Sequence, residues 1–193
     1  PDFQGFHHDL YRSVGKGRWW IMEQQPGPVN WAPYNPAPLD GMVRLWTWEA
    51  FAHGAETVCY FRWRQVPYAQ EQMHAGLLRP DSKPAQGFFE AQKVINELKS
   101  SQEINTKKAS IAIMFDYDAD AMWNIQPQGR GLSYFGLIFD IYSSLRRLGL
   151  SIDFVSPHEK NLDNYNLIIV SGMKHMHNHL KKRLEKLEAE ILI

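Results

Sequence analysis

Apolar positions along this chain alternate between short continuous runs and stripes at helical spacing. Residues 7–14 read as the tail of a helix, closed by Gly15-Lys16-Gly17. Residues 18–22, Arg-Trp-Trp-Ile-Met, form a short apolar run that ends before Pro and Gly, the pattern of a buried parallel strand. Residues 41–54 are bracketed by glycines, and Met42, Leu45, Trp46, Trp48 and Phe51 leave few polar turns, which predicts a largely buried helix. Residues 56–63 are rich in β-branched and aromatic side chains and read as the next strand. A long loop over 64–85 leads to a helix over 86–101, with Phe88, Phe89, Ala91, Gln92, Ile95 and Leu98 on one stripe.

The first hundred residues therefore read strand, loop, helix, strand, loop, helix. Short strands joined by helical crossovers imply a parallel sheet with covered faces. Two such units fit the closing βα units of a (β/α)8 barrel, in which function sits at the C-terminal strand ends. Residues 101–108 are polar and unpatterned and read as a linker. A second α/β pattern follows: strands over 109–115, 151–156 and 165–172, an amphipathic helix over 131–149, a helix over 179–190 and a last strand starting at 191. This order predicts the opening half of an open, doubly wound, flavodoxin-like parallel sheet. The expected division is 1–100 for the end of the barrel, 101–108 for the linker and 109–193 for the second domain.

Composition narrows the function classes. With 44% hydrophobic residues the chain can bury a sizeable core, and a formal net charge of zero points to neither nucleic acid nor an anionic membrane surface as partner. The single cysteine, Cys59, excludes a disulfide framework and a cysteine-based zinc site within the chain, and reads as an inert core thiol in a reducing, cytoplasmic setting. No apolar run is long enough for a transmembrane helix, and no signal peptide is visible. The chain opens without Met and closes on an apolar triplet, so it reads as a piece of a longer protein. Six of its seven Trp residues lie in the first third, where aromatic loops could stack on sugar rings or simply fill a core.

One acid stands out. Glu23 ends the apolar run and is followed, in the stretch to Asn35, by Gln24, Gln25, three prolines, a glycine and Trp31. A carboxylate at the C-terminal end of a barrel strand points into the barrel mouth, where it can attack an electrophilic carbon, act as a base or bind a metal. Gln24, Gln25 and Asn30 are candidate hydrogen-bond donors that would keep it ionised, and Trp31 offers an apolar face. The loop after the second strand places Glu71 and His74 three residues apart, behind Arg62, Arg64 and Tyr68. Both could bond sugar hydroxyls, or Glu71 could make an ordinary solvated ion pair.

Three stretches, Met-Glu-Gln-Gln-Pro-Gly-Pro-Val-Asn-Trp at 22–31, Gly-Met-Val-Arg-Leu-Trp-Thr-Trp-Glu-Ala at 41–50 and Glu-Gln-Met-His at 71–74, resemble glycoside hydrolase family 42, the bacterial β-galactosidases. The resemblance covers about residues 1–99 closely and is nearly ungapped. It implies that Glu23 is the catalytic nucleophile, that Trp31 lines the galactose site, and that Glu71 and His74 contact galactose hydroxyls. It also implies a small-molecule galactoside as substrate and a (β/α)8 barrel followed by a flavodoxin-like domain that builds a homotrimer. No cofactor is implied. The family's general acid/base, the Glu of an Asn-Glu pair on an earlier barrel strand, and its zinc-binding cysteines are expected to be absent from this chain, so these residues alone are expected to be inactive.

Other motifs point elsewhere only weakly. Val170-Ser171-Gly172-Met173 has no Cys at the turn where glutamine amidotransferases carry one, and Ser171 lacks a Gly-x-Ser-x-Gly context. His175, His177 and His179 read as solvent-facing rather than as a metal site. Asp116, Asp118 and Asp120 lack the Gly and closing Glu of a calcium loop and read as turn or capping residues. The rival functions are a non-enzymatic assembly module and a sugar-binding protein that kept the pocket and lost catalysis.

Overall fold

The computed structural model describes residues 2–101 and 107–193; most of the expected linker lies outside them. The chain divides into two compact units, one of Arg18–Thr106 and one of Pro1–Gly17 with Lys107–Ile193.

The first unit is built on two parallel strands, β1 (Trp20–Gln24) and β2 (Thr57–Tyr60), with helices α2 (Met42–Ala52) and α3 (Gln86–Ser100). Trp19, Ala50 and Ala55 form its buried cluster, with Ile21, Phe51 and Val58 packed against it. Both strands are less covered than their sequences predict. Trp20 is 54% and Met22 70% exposed, and Cys59 on β2 is half-buried rather than a core thiol. Helix α2 differs in the same way: only Val43, Thr47 and Ala50 are buried, whereas Leu45 faces solvent. The physical reason is that β2 and α3 cover one side of α2, and its large side chains extend beyond them. Helix α2 starts at Gly41, which has no capping side chain; the cap comes instead from Glu90 on α3, whose two oxygens accept from the amides of Gly41 and Arg44, each at 2.9 Å.

The second unit is a four-stranded parallel sheet in the order β4 (Ile152–Val155), β3 (Ile111–Met114), β5 (Leu167–Ile169), β6 (Glu190–Leu192). Alternate residues serve opposite faces, as the two-residue period of a strand requires. Ile113, Ile152, Phe154 and Ile169 face one core with residues of helices α4 (Tyr117–Ile125) and α5 (Tyr134–Arg147). Ala112, Met114, Val155 and Ile168 face the other, under α6 (Asn178–Leu184). Helix α4 is an element that the sequence pattern does not predict. Asp116 accepts from the amide of Asp118 at 3.1 Å and starts the helix, the capping role left open for these aspartates.

Helix α1 (Asp2–Val14) lies in this second unit and not with the strand that follows it. Phe6 is fully buried in the first core, ringed by Phe135, Phe139, Tyr142 and Phe154. Beside it Arg12 reaches Asp153 at 2.9 Å and the carbonyl of Ile152 at 2.8 Å and pairs with Asp9, while Tyr142 donates to Asp9 at 2.7 Å. Burial, and then the charge of Asp9, push the Tyr142 phenol far above its usual range. Helix α1 ends where Lys16 and Gly17 take positive φ, the turn that the Gly-Lys-Gly sequence predicts.

Candidate active site

Glu23 sits in an irregularity of the strand pair. Trp20 pairs with Thr57 and Ile21 with Val58, but Gln24 pairs with Tyr60, so Met22 and Glu23 together oppose Cys59 alone. An extra residue on one strand bends it and re-aims its side chains, and such bulges recur beside active sites. The sequence placed Glu23 just past the strand; the structure puts it inside β1, one residue from the end, with its side chain exposed.

The loops that follow β1 and β2 are sewn together. The amide of Ala75 donates to the carbonyl of Pro28 at 2.9 Å, and the side-chain amide of Asn30 donates to the carbonyl of Gln70 at 3.0 Å. Gly27 lies so close to Ala75 that a Cβ would sit 2.7 Å from the Ala75 methyl. Gly87 opens α3 against the same loop, where a Cβ would stand 2.1 Å from the Pro26 carbonyl oxygen; the site thus depends on both glycines for close approach. The donors expected for Glu23 are partly spent elsewhere: Gln25 gives its amide to the carbonyl of Gly27 at 3.3 Å and Asn30 to that of Gln70, so both satisfy loop carbonyls.

Phe61 ties the second loop to the end of β1. Its amide donates to the carbonyl of Gln24 at 3.1 Å. His74 packs edge-on to the Phe61 ring with centroids 5.0 Å apart, and the Arg62 guanidinium lies over the same ring at 5.1 Å. Arg62 in turn forms an ion pair with Glu71 at 3.1 Å. His74 is only 3% exposed, and its Nε2 has no hydrogen-bond partner among the described residues. A buried imidazole nitrogen left in that state asks for a partner that is not part of these residues. Trp31 is 71% exposed, its indole standing free of any core. The structure thus brings Glu71 and His74 together around Phe61 and joins their loop to the one carrying Trp31. The sequence pattern gives Arg62 no role; its position two residues past the end of β2, ahead of the loop that carries Glu71 and His74, is the available signal.

The comparisons bear on these same residues. The family model described as β-galactosidase matches residues 1–101, more than half of the chain, and the one described as β-galactosidase trimerisation domain matches residues 109–190. The chain belongs to the family 42 β-galactosidases. It is 56% identical over 192 residues to the β-galactosidase BgaA of a Thermus species, covering all of this chain and 30% of that protein. It superposes on the crystal structure of the β-galactosidase from the psychrophilic Marinomonas ef1 with a TM-score of 0.93 at 50% identity, covering 99% of this chain and 30% of the other. The β-galactosidase of the Antarctic haloarchaeon Halorubrum lacusprofundi gives a TM-score of 0.91 at 38% identity, over 96% of this chain and 28% of that one. The chain therefore spans about 30% of the length of these relatives. Within the family fold, β1, α2, β2 and α3 are the closing βα units of a (β/α)8 barrel, and β3 to β6 open a flavodoxin-like sheet.

Against the expectation from the sequence, this family 42 chain does contain an Asn-Glu pair, Asn96-Glu97, but it lies on helix α3 rather than on a strand. Glu97 there accepts from Arg44 at 2.9 Å and from the Trp48 indole at 2.7 Å, and these two donors hold its carboxyl below the usual range. In the flavodoxin-like unit, a cleft of about 990 Å³ at the carboxyl ends of the strands is lined by Asp116, Asp118, His158, Lys160, His175 and His177, among others. His175 and His177 are exposed and face each other with ring nitrogens 3.3 Å apart, and no group of three metal-ligating side chains occurs among the described residues. No helix among the described residues is long and apolar enough to cross a membrane.

Proposed function

We propose that the protein containing this chain is a retaining β-galactosidase and that Glu23 is its nucleophile. A carboxylate oxygen of Glu23 attacks the anomeric carbon of a terminal β-galactoside. The bond from C1 to the aglycone oxygen breaks as it does so, and that oxygen takes a proton from a second carboxylic acid, supplied from outside these residues. The same second group then removes a proton from water, which attacks C1. The ester bond to Glu23 breaks, its carboxylate is restored, and galactose leaves with its configuration retained.

The other candidate residues take supporting roles in this reading. Glu71 accepts a galactose hydroxyl, the buried His74 Nε2 exchanges a hydrogen bond with another, and the exposed Trp31 indole covers an apolar face of the ring. The flavodoxin-like unit joins three copies of the chain, in keeping with its match to the trimerisation-domain family. We place the whole protein in the cytoplasm, as the sequence reading expects.

The observation that carries the reading is the placement of Glu23 in a bulge at the end of a barrel strand, beside two loops bonded to each other. In the whole protein, Glu23→Gln is expected to lower kcat/KM on a chromogenic β-galactoside by on the order of 10⁴-fold or more without changing the unfolding temperature. With Glu23→Ala, added azide is expected to yield an α-galactosyl azide. Near-normal hydrolysis by either variant removes Glu23 from this role.

A further inference from the structure

We propose that Arg62 is a positioning residue of the sugar site: it fixes the Glu71 carboxylate in the orientation that receives a galactose hydroxyl. The inference rests on the reading of Glu71 as a sugar ligand and adds the group that makes that ligand effective.

Glu71 lies on a turn of a long loop, and its side chain is 48% exposed. A carboxylate in that setting samples several rotamers, and each sugar hydroxyl it is to hold must first order it. Arg62 stands at the root of the same loop, two residues past the end of β2, and is more deeply buried. Its side chain is 20% exposed, its guanidinium rests on the Phe61 ring, and its own carbonyl accepts from the Leu77 amide at 2.8 Å. From this fixed base Nη2 holds Oε2 of Glu71 at 3.1 Å and leaves Oε1 for another donor.

The bonding of Arg62 differs from that of the arginines that hold the fold together. Arg12 binds the carbonyl of Ile152, and Arg183 binds those of Pro157 and Glu159. Among the described residues the Arg62 guanidinium meets Glu71 and the face of Phe61, and its Nη1 is buried without a hydrogen-bond partner. An ion pair this exposed on its acidic side adds little to stability. Removing the guanidinium leaves no backbone carbonyl unsatisfied and frees Glu71.

The test uses the whole enzyme with Arg62→Met, Arg62→Lys, Glu71→Gln and the double variant Arg62→Met/Glu71→Gln. Each is assayed on nitrophenyl β-galactoside and on its 3-, 4- and 6-deoxy analogues. Arg62→Met is expected to lower kcat/KM on the parent galactoside by about tenfold to a hundredfold, the scale of a misplaced contact group. Arg62→Lys, which keeps the charge but not the flat fork, falls between Arg62→Met and wild type. Two results distinguish positioning from a general structural role. The double variant loses no more than Glu71→Gln alone, and the one deoxy substrate that is indifferent to Glu71→Gln is indifferent to Arg62→Met as well. Equal losses on every substrate, adding to those of Glu71→Gln, overturn the proposal, and so does wild-type activity in Arg62→Met. If Arg62→Met does not fold, the same comparison with Arg62→Lys decides. A Glu71→Gln enzyme with unchanged kcat/KM overturns the reading of Glu71 itself, while an active Glu23→Gln enzyme overturns the hydrolase mechanism.

Discussion

Glu90 shows how one side chain can hold two elements in place. The residue is buried. Burial opposes its charge, but the amides of Arg44 and Gly41 and the Gln86 side chain outweigh burial and hold its carboxyl below the ordinary value of 4.5. A depressed carboxyl stabilises the fold fully above its unfolded value, and that contribution is lost as pH falls through the lower folded value. Glu90→Gln should therefore cost about 1–2 kcal/mol at neutral pH, the worth of a helix cap. In thermal unfolding the gap to wild type should close on acidification below pH 4.5; a gap independent of pH contradicts this role for Glu90. Legibility at this scale was uneven. Glu23 was visible as the acid that ends an apolar run, and Glu71 and His74 as a pair at close spacing. The bulge at Met22-Glu23, the contact of Arg62 with Glu71 and the diversion of Gln25 and Asn30 to backbone carbonyls all depend on how two loops meet. No local pattern encodes that meeting.

Among the elements, the strands and the amphipathic helices α3 and α5 were legible because their apolar periods are clear. Helix α4 was not, since its aspartates fit a turn as well as a cap, and local sequence does not choose between them. The burial of α2 was overestimated, because apolar content reports what a helix could bury and not which neighbours cover it. Helix α1 is the clearest example of tertiary contacts deciding. Phe6 fills the core under α5 and β4, and Arg12 spans to Asp153. Phe6→Ala should cost about 3–5 kcal/mol, whereas Phe3→Ala, at a position 58% exposed, should cost far less. Amide hydrogen exchange across α1 should rise sharply in the first variant only; equal exchange in both would mean that α1 does not depend on this core.

At the scale of the molecule, the boundary drawn by sequence similarity and the boundary drawn by packing differ. The β-galactosidase family model covers residues 1–101, yet the first 17 residues pack with the trimerisation domain. The order of strands and helices made both α/β patterns legible, whereas the membership of α1 in the second unit was not, because the helix reads alike in either setting. The chemistry proposed for the whole protein passes through a covalent galactosyl ester at Glu23. The most direct measurement is inactivation with an activated 2-deoxy-2-fluoro-β-galactoside, followed by proteolysis and mass spectrometry of the trapped enzyme. The account predicts a single fluorogalactosyl group on the peptide containing Glu23, at that carboxylate. A label on any other carboxylate, or complete inactivation with the Glu23 peptide unlabelled, would contradict it.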